Sequence, residues 1–431
     1  MPPSAALDLV LFGATGFTGW ISAQYIARLA PRDLRWALAA RSPDKLAAKL
    51  EELGRQFPDR VPPETIVAGL DEASAVKLAG SCKLVISTVG PFCRYGSELV
   101  KACAEAGTHY VDCTGEHTWV LDMIEKYDET ARRTGALIIP QTAFESAPAD
   151  LVSYKIAQTI REKYNLGTKD VTFSLHNLNG GASGGTIETF LSVIEVFGVS
   201  RLASSSQPLA LSPAAVRTRP FSVQTRTPVF THPVLGTLTS WLQATPDRAI
   251  VMRSWGLAQL YAPETLSYGA NFAFAEFKRA RNALEGLVVC VAIAVVSVGV
   301  LFAPFRWLAR RVVMQPGFGP DQAAFNSGRQ GSLEWRAVGV ADDSDYDGEG
   351  RTKKREVLAS LRYEDGDCYA ITALLIVEAA FTILDLQKDG GVGEDCLARK
   401  IGGGVLTPAC LGEPYIKRLD AVGTKLVVKE L

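Results

Sequence analysis

With 431 residues, 47% of them hydrophobic, the chain is long enough to build two separate cores. A net charge of −1 and the lack of any basic run interleaved with aromatics exclude nucleic acid as an expected partner. Eight cysteines without C-x-x-C spacing and four histidines without ligand spacing exclude a disulfide framework and a metal site. The thiols read as reduced and the setting as cytoplasmic, because the first structured run begins within ten residues of Met1 and leaves no room for a targeting sequence before it.

That run is Leu7-Asp-Leu-Val-Leu-Phe-Gly13-Ala-Thr-Gly16-Phe-Thr-Gly19, an apolar strand breaking into glycines three residues apart. A helix over Trp20–Leu29 follows. Strand, glycine turn and helix N-terminus together form an anion site, with backbone N–H groups and the positive end of the helix dipole aimed at a phosphate. The candidate cofactor residues here are Gly13, Thr15, Gly16, Phe17, Thr18 and Gly19. A purely structural glycine turn is the competing reading.

A second buried strand over Arg35–Ala40 ends at Arg41-Ser42, where a carboxylate would bind an adenosine ribose. A cation there suits the 2′-phosphate of NADP, so NADP is expected, with NAD as the alternative. Lys45 reads as helix surface. The alternation continues with helix 43–53, strand 65–68, helix 72–79, strand 83–87, helix 96–106, strand 109–112, helix 118–134 and strand 136–140. This order predicts an α/β fold, a Rossmann-like doubly wound parallel sheet. Ligands bind such sheets beyond the carboxyl ends of the strands, which adds Asp71 and Thr88-Val89-Gly90-Pro91 to the cofactor candidates, the latter four beneath the nicotinamide ribose. Tyr95 and Glu116 are the candidate catalytic residues, with Cys93 third. A helix-capping Tyr95 and a Glu116 that only accepts backbone amides are the bland alternatives. His109 is expected inside the sheet domain.

After Asp150 the rhythm changes. Val171–His176 predicts a strand, and Asn179–Thr186 is a glycine cluster that either admits a ligand to the backbone or forms a structural loop before helix 187–197. Residues 201–239 read as irregular or edge-strand, and 339–355 as a surface hairpin loop. Leu287–Ala303 contains seventeen residues without charge, between Glu285 and the cluster Arg306, Arg310 and Arg311. Segment 286–305 is either an insertion into one leaflet of a membrane or a helix buried in the second domain or a dimer interface, so a homodimer stays open. A full span would separate the nucleotide domain from the later segments. An apolar helix from Tyr369 and a last helix over 408–419 close the chain. The expected domains are 1–150, nucleotide-binding; 151–368, an inserted α+β substrate or dimerisation domain; and 369–431, helices packing back on the core.

On these residues the chain resembles the saccharopine dehydrogenase-like oxidoreductases, in particular the trans-acting enoyl reductase branch. The resemblance runs from Leu7 to about Arg418 and rests on Gly13–Gly19, Ala39-Ala-Arg-Ser42, Thr88–Gly96, Tyr110-Val-Asp-Cys-Thr-Gly-Glu116, Ser183-Gly-Gly-Thr186 and Gly403–Pro408. Where the family carries Gly-Phe-Asp-Ser-x-Pro-x-Asp, this chain has Ala143-Phe-Glu-Ser-Ala-Pro-Ala-Asp150. The resemblance implies an NAD(P)-binding Rossmann domain with an inserted α+β domain and, in part of the family, reduction of lipid-linked enoyl groups. In animal relatives it implies association with lipid droplets. An apolar or lipid-linked enoyl or keto substrate is therefore expected. A short-chain reductase would need Tyr-x-x-x-Lys, and no tyrosine here has a lysine four residues later. A silent nucleotide-binding scaffold on a membrane or lipid droplet is the remaining alternative.

Overall fold

The computed structural model describes residues 7–178, 184–214, 227–313, 331–343, 354–364, 366–388 and 396–431. It divides into two compact units. The first comprises residues 1–144, 188–196 and 369–419, the second 145–187, 197–368 and 420–431.

The first unit is a Rossmann-like parallel sheet. Its strands are β1 (Leu7–Phe12), β2 (Trp36–Ala40), β3 (Glu64–Val67), β4 (Cys82–Ser87), β5 (His109–Asp112), β6 (Leu137–Ile139) and a seventh, β13 (Gly404–Val405), from far along the chain. The order is seventh-β6-β5-β4-β1-β2-β3, all parallel, so the topological switch point falls between β1 and β4. Central strands buried on both faces must be apolar throughout, and Leu9, Val10, Leu11, Leu84, Val85 and Ile86 are fully buried. The crossover helices are α1 (Phe17–Leu29), α2 (Pro43–Gln56), α3 (Glu72–Ser81), the short α4 (Phe92–Tyr95), α5 (Ser97–Ala106) and α6 (His117–Thr134). The helix Cys368–Leu386 belongs to this unit. It is long and apolar enough to cross a membrane but is mostly buried, and its central acid, Glu378, accepts bonds from Tyr25 Oη (3.3 Å) and Arg418 Nε (2.9 Å).

The second unit holds α7 (Ala147–Tyr164), α9 (Ala244–Tyr261) and a mixed sheet. The sheet's strands are β7 (Thr168–Asn177), β8 (Val229–His232), β9 (Gly236–Thr239), β10 (Ala273–Arg279), β11 (Leu333–Ala341), β12 (Glu356–Tyr363) and β14 (Thr424–Glu430), in the order β14-β12-β11-β7-β10-β9-β8. The helix α8 (Gly184–Ser205) breaks at Gly198, whose φ of 73° lies in the left-handed region. The inserted α+β domain is therefore present. Strand β14 departs from the helical expectation for 369–431, pairing with β12 across Val357–Tyr363. Residues 179–183 of the glycine cluster and 344–353 of the expected hairpin loop lie outside the described residues.

Segment 286–305 is not one helix. It is α10 (Ala283–Gly299) and the start of α11 (Ala303–Val313), bent by 112°. Only Gly286 of α10 is buried, which departs from the buried-helix reading for this chain.

Candidate cofactor and active site

The turn after β1 is shaped by three glycines with three different constraints. Gly13 sits at φ +92°, and a Cβ there would lie 2.5 Å from Thr88 Oγ1. Its carbonyl accepts the Gly16 amide at 2.9 Å. A Cβ on Gly19 would lie 2.2 Å from the same Gly13 carbonyl oxygen, so α1 packs directly on the turn. The amides of Gly13 and Ala14 bond Ala39 O, and Thr88 donates both N and Oγ1 to Phe12 O, which locks the turn between β2 and β4.

Gly16 occupies the N-cap of α1 and no side chain caps the helix. The first-turn amides of Phe17, Thr18 and Gly19 have no acceptor within the helix, and the positive end of its dipole sits among them. An uncapped helix start behind a backbone-tight glycine turn fits a dinucleotide pyrophosphate. Thr15 is half-buried beside this opening, and the Phe17 ring packs edge-on against Tyr369 at 5.0 Å.

Arg41 follows β2 directly with an exposed side chain, and Ser42 Oγ accepts the Lys45 amide to cap α2. Lys45 is exposed on the first turn of that helix. Asp71 follows β3 and caps α3. Its Oδ1 accepts the Ser74 amide and its Oδ2 the Ser74 hydroxyl, both at 2.9 Å, and these bonds hold its carboxyl below the usual range. The structure therefore gives Asp71 a capping task that its sequence position did not reveal.

Past β4, Thr88 and Val89 wall the Gly13 side of the turn, while Gly90 and Pro91 are joined by a cis peptide bond. A Cβ on Gly90 would meet only ordinary contacts, Phe92 Cε2 at 3.5 Å and Thr189 Oγ1 at 3.6 Å. Among the described residues nothing forces glycine there.

For Glu116 the structure shows the second of the two readings that its sequence left open. Its carboxylate is 3% exposed, with Oε1 accepting the Phe92 amide and Oε2 the Cys93 amide, each at 2.7 Å. Both oxygens accept from the start of α4, so Glu116 ties the β5 loop to the turn carrying Tyr95. Burial raises its pKa, against the pull of Cys93 and Phe92. Cys93 is half-buried, and burial together with Glu116 pushes its thiol up, away from thiolate chemistry. Tyr95 ends α4 with its side chain exposed, on a segment also fixed by the 2.7 Å Arg94–Glu195 pair.

The titratable group that sequence reasoning passed over is Asp112, the last residue of β5. Its Oδ1 accepts the amides of Thr114 (3.0 Å) and Gln141 (2.9 Å), the latter at a left-handed φ of 56°. It is fully buried, and burial pushes it up to about 7 against the pull of those amides. A carboxylate ending an otherwise apolar strand at the cofactor edge was the available signal. His109 lies inside the sheet as expected. Its Nδ1 accepts the Leu137 amide at 3.0 Å, and burial lowers it to about 4, so the ring is neutral.

The motif around Asp150 belongs to the second unit. Ser146 Oγ donates to Asp247 Oδ1 at 2.9 Å and Ser254 Oγ donates to Asp150 Oδ1, docking the start of α7 onto α9.

A switch-point turn, an uncapped helix start and a cation after the second strand define a dinucleotide-dependent oxidoreductase. Residues 9–139 match the saccharopine dehydrogenase NADP binding domain family. A putative trans-acting enoyl reductase of Mycobacterium tuberculosis is 31% identical over 98% of this chain and 98% of its own length. Trans-acting enoyl reductases of Mycobacterium leprae and Mycobacterium ulcerans are 29% and 27% identical over 98% and 96% of this chain, and 97% and 96% of theirs. The chain belongs to the trans-acting enoyl reductase family, and it is an NADP-dependent oxidoreductase.

Proposed function

We propose that this oxidoreductase reduces the carbon–carbon double bond of an enoyl group carried on an apolar, lipid-linked chain. The observation that carries this reading is the full-length similarity to proteins named trans-acting enoyl reductases, joined to the uncapped glycine turn of α1. The alternative acceptor, a keto group, needs the same hydride and the same polarising contact at oxygen.

In this reading the amides of Phe17, Thr18 and Gly19, with Gly13, Thr15 and Gly16, cradle the pyrophosphate of NADP. Arg41 and Ser42 meet its 2′-phosphate, and Asp71 borders the adenosine side through the loop it caps. Thr88, Val89, Gly90 and Pro91 support the nicotinamide ribose. When bound, the cofactor would supply a hydride to the β-carbon of the enoyl group. As that bond forms, the alkene electron pair moves toward the conjugated carbonyl oxygen, and the α-carbon then takes a proton from solvent. Tyr95 donates a hydrogen bond to the developing oxyanion, where a positioned donor has its greatest effect. Glu116 acts through Tyr95 by holding the Phe92 and Cys93 amides.

Oxidation of one NADPH per saturated acyl product, with a long-chain α,β-unsaturated thioester, tests the reading. NADPH binding without turnover across enoyl and keto lipids would instead favour the silent scaffold. Arg41→Ala should weaken NADPH roughly 10- to 100-fold, the size of a lost hydrogen-bonded charge pair, and leave NADH nearly unchanged. Equal loss of both nucleotides removes Arg41 from the phosphate. Tyr95→Phe should lower kcat on the order of 10- to 100-fold with little change in the Kd of NADPH. An unchanged kcat would take Tyr95 out of the reaction.

A further inference from the structure

The feature that no catalytic reading absorbs is the pair α10–α11 in the second unit. The first half of α10 is seated on β8 and β9. Gly286 lets Val229 approach, and Thr239 Oγ1 donates to Gly286 O at 2.7 Å. Beyond residue 293 the helix loses this cover, and residues 294–298 are exposed all round. The exposed side chains are the large apolar ones: Val295 at 60%, Val298 at 57%, Phe302 at 60% and Trp307 at 59%. A monomer in water rarely presents a contiguous apolar projection of this kind; such patches mark a docking face.

The chemistry around the tip selects the occupant. At the bend, Arg306 Nη1 donates to Val300 O at 2.8 Å, closing the end of α10. On α11, the Arg311 guanidinium lies over the Trp307 ring at 5.3 Å, and Arg310 adjoins it; the helix carries three arginines and no acid. Apolar tip, interfacial tryptophan and adjoining cations match the boundary between acyl chains and anionic headgroups. A second copy of the chain would instead bring like-charged arginines together.

We propose that residues 283–313 seat the protein on the surface of an anionic phospholipid bilayer. Val298, Leu301, Phe302 and Trp307 enter the acyl boundary, while Arg310 and Arg311 meet headgroup phosphates. The insertion stays in one leaflet. The chain returns to β11 through 314–330, a stretch with Asp321 and Arg329 and no apolar run able to recross hydrocarbon. The proposal is independent of the enoyl reductase reading.

Full-length protein is sedimented with vesicles of phosphatidylcholine, with and without about 30 mol% phosphatidylserine. Expected is binding that strengthens with phosphatidylserine and weakens in high salt, with a loss of about tenfold or more in F302S/W307S as buried apolar contact is removed. R310E/R311E should bind both vesicle types equally weakly. Both pairs of changes lie at the surface, so each variant is first checked for unchanged NADPH binding. Wild-type protein that stays in the supernatant with both vesicles overturns the proposal. So does a wild-type dimer, seen by light scattering, that F302S/W307S converts to monomer, which assigns the tip to a second copy.

Discussion

Gly19→Ala is expected to raise the Kd for NADPH at least about 100-fold, because it moves the helix start that binds phosphate rather than deleting one contact. The added Cβ would lie 2.2 Å from Gly13 O and 2.8 Å from Thr88 Oγ1. Neither neighbour is the far end of a flexible side chain. Gly13 is held by its bond to Ala39 O, and Thr88 by two bonds to Phe12 O. The helix must therefore back away, taking the amides of Phe17 and Thr18 with it. Overpacking of this sort costs about 1–3 kcal/mol of stability, so the protein should still fold. Gly16→Ala is the internal control. Gly16 has φ −79°, open to any residue, and its Cβ would touch only Gly13 O at 3.3 Å. Calorimetric titration with NADPH, paired with thermal melts, separates the two. If Gly19→Ala binds NADPH within a few-fold of wild type while folded, the pyrophosphate does not rest on α1.

This local crowding explains what could be read in advance. Strands β1, β4 and β5 are buried on both faces, so their apolar runs stand out between glycines, and β5 matches its expected bounds, His109–Asp112. The seventh strand of the sheet has two residues and pairs with β6 from more than two hundred positions away, a partnership that no local pattern encodes. Helices α7 and α9 are buried on most sides, which erases the polar stripe that would have announced them. Strand β14, Thr-Lys-Leu-Val-Val-Lys-Glu, gains its identity from β12. At the site, the glycine turn was legible because its shape is tied to backbone position. Glu116 was not. A glutamate in a small polar loop reads identically whether it faces a substrate or two amides, and only the fold decides. Asp112 was passed over for the converse reason, since a residue inside a strand reads as core.

Glu276→Gln should flatten the pH dependence of stability across roughly pH 5 to 8, because it removes a proton that folding holds in place. Glu276 lies on the face of β10 that packs against α9, level with Phe173 of β7, and is fully buried with Asp247 of α9. The two carboxyls neighbour one another, and two buried like charges so placed favour a proton on one of them. Glu276 Oε2 has no hydrogen-bond partner among the described residues, which adds to the cost of ionising this carboxyl. Ser146 donates to Asp247, Glu145 adds like charge, Asp150 takes Ser254, and Arg253 Nη1 is turned to Leu211 O at 2.6 Å. Burial raises both carboxyls, and Asp247 is raised further by Glu276. In the unfolded chain Glu276 titrates at its ordinary 4.5. Stability from the retained proton is therefore complete below that value and is lost as pH rises toward the higher folded pKa. The slope reaches about 1.4 kcal/mol per pH unit for one proton. Glutamine keeps a donor toward Asp247 at every pH, so the variant should melt higher than wild type near pH 8 and no higher near pH 5. At about 2–4 °C per kcal/mol, the difference is readable by calorimetry. Asp247→Asn should flatten the same window and, combined with Glu276→Gln, add little, since both remove one shared proton. Parallel melting curves for wild type and Glu276→Gln from roughly pH 5 to 8 would mean that both carboxyls ionise in the folded protein, and no retained proton would then link the pair to folding.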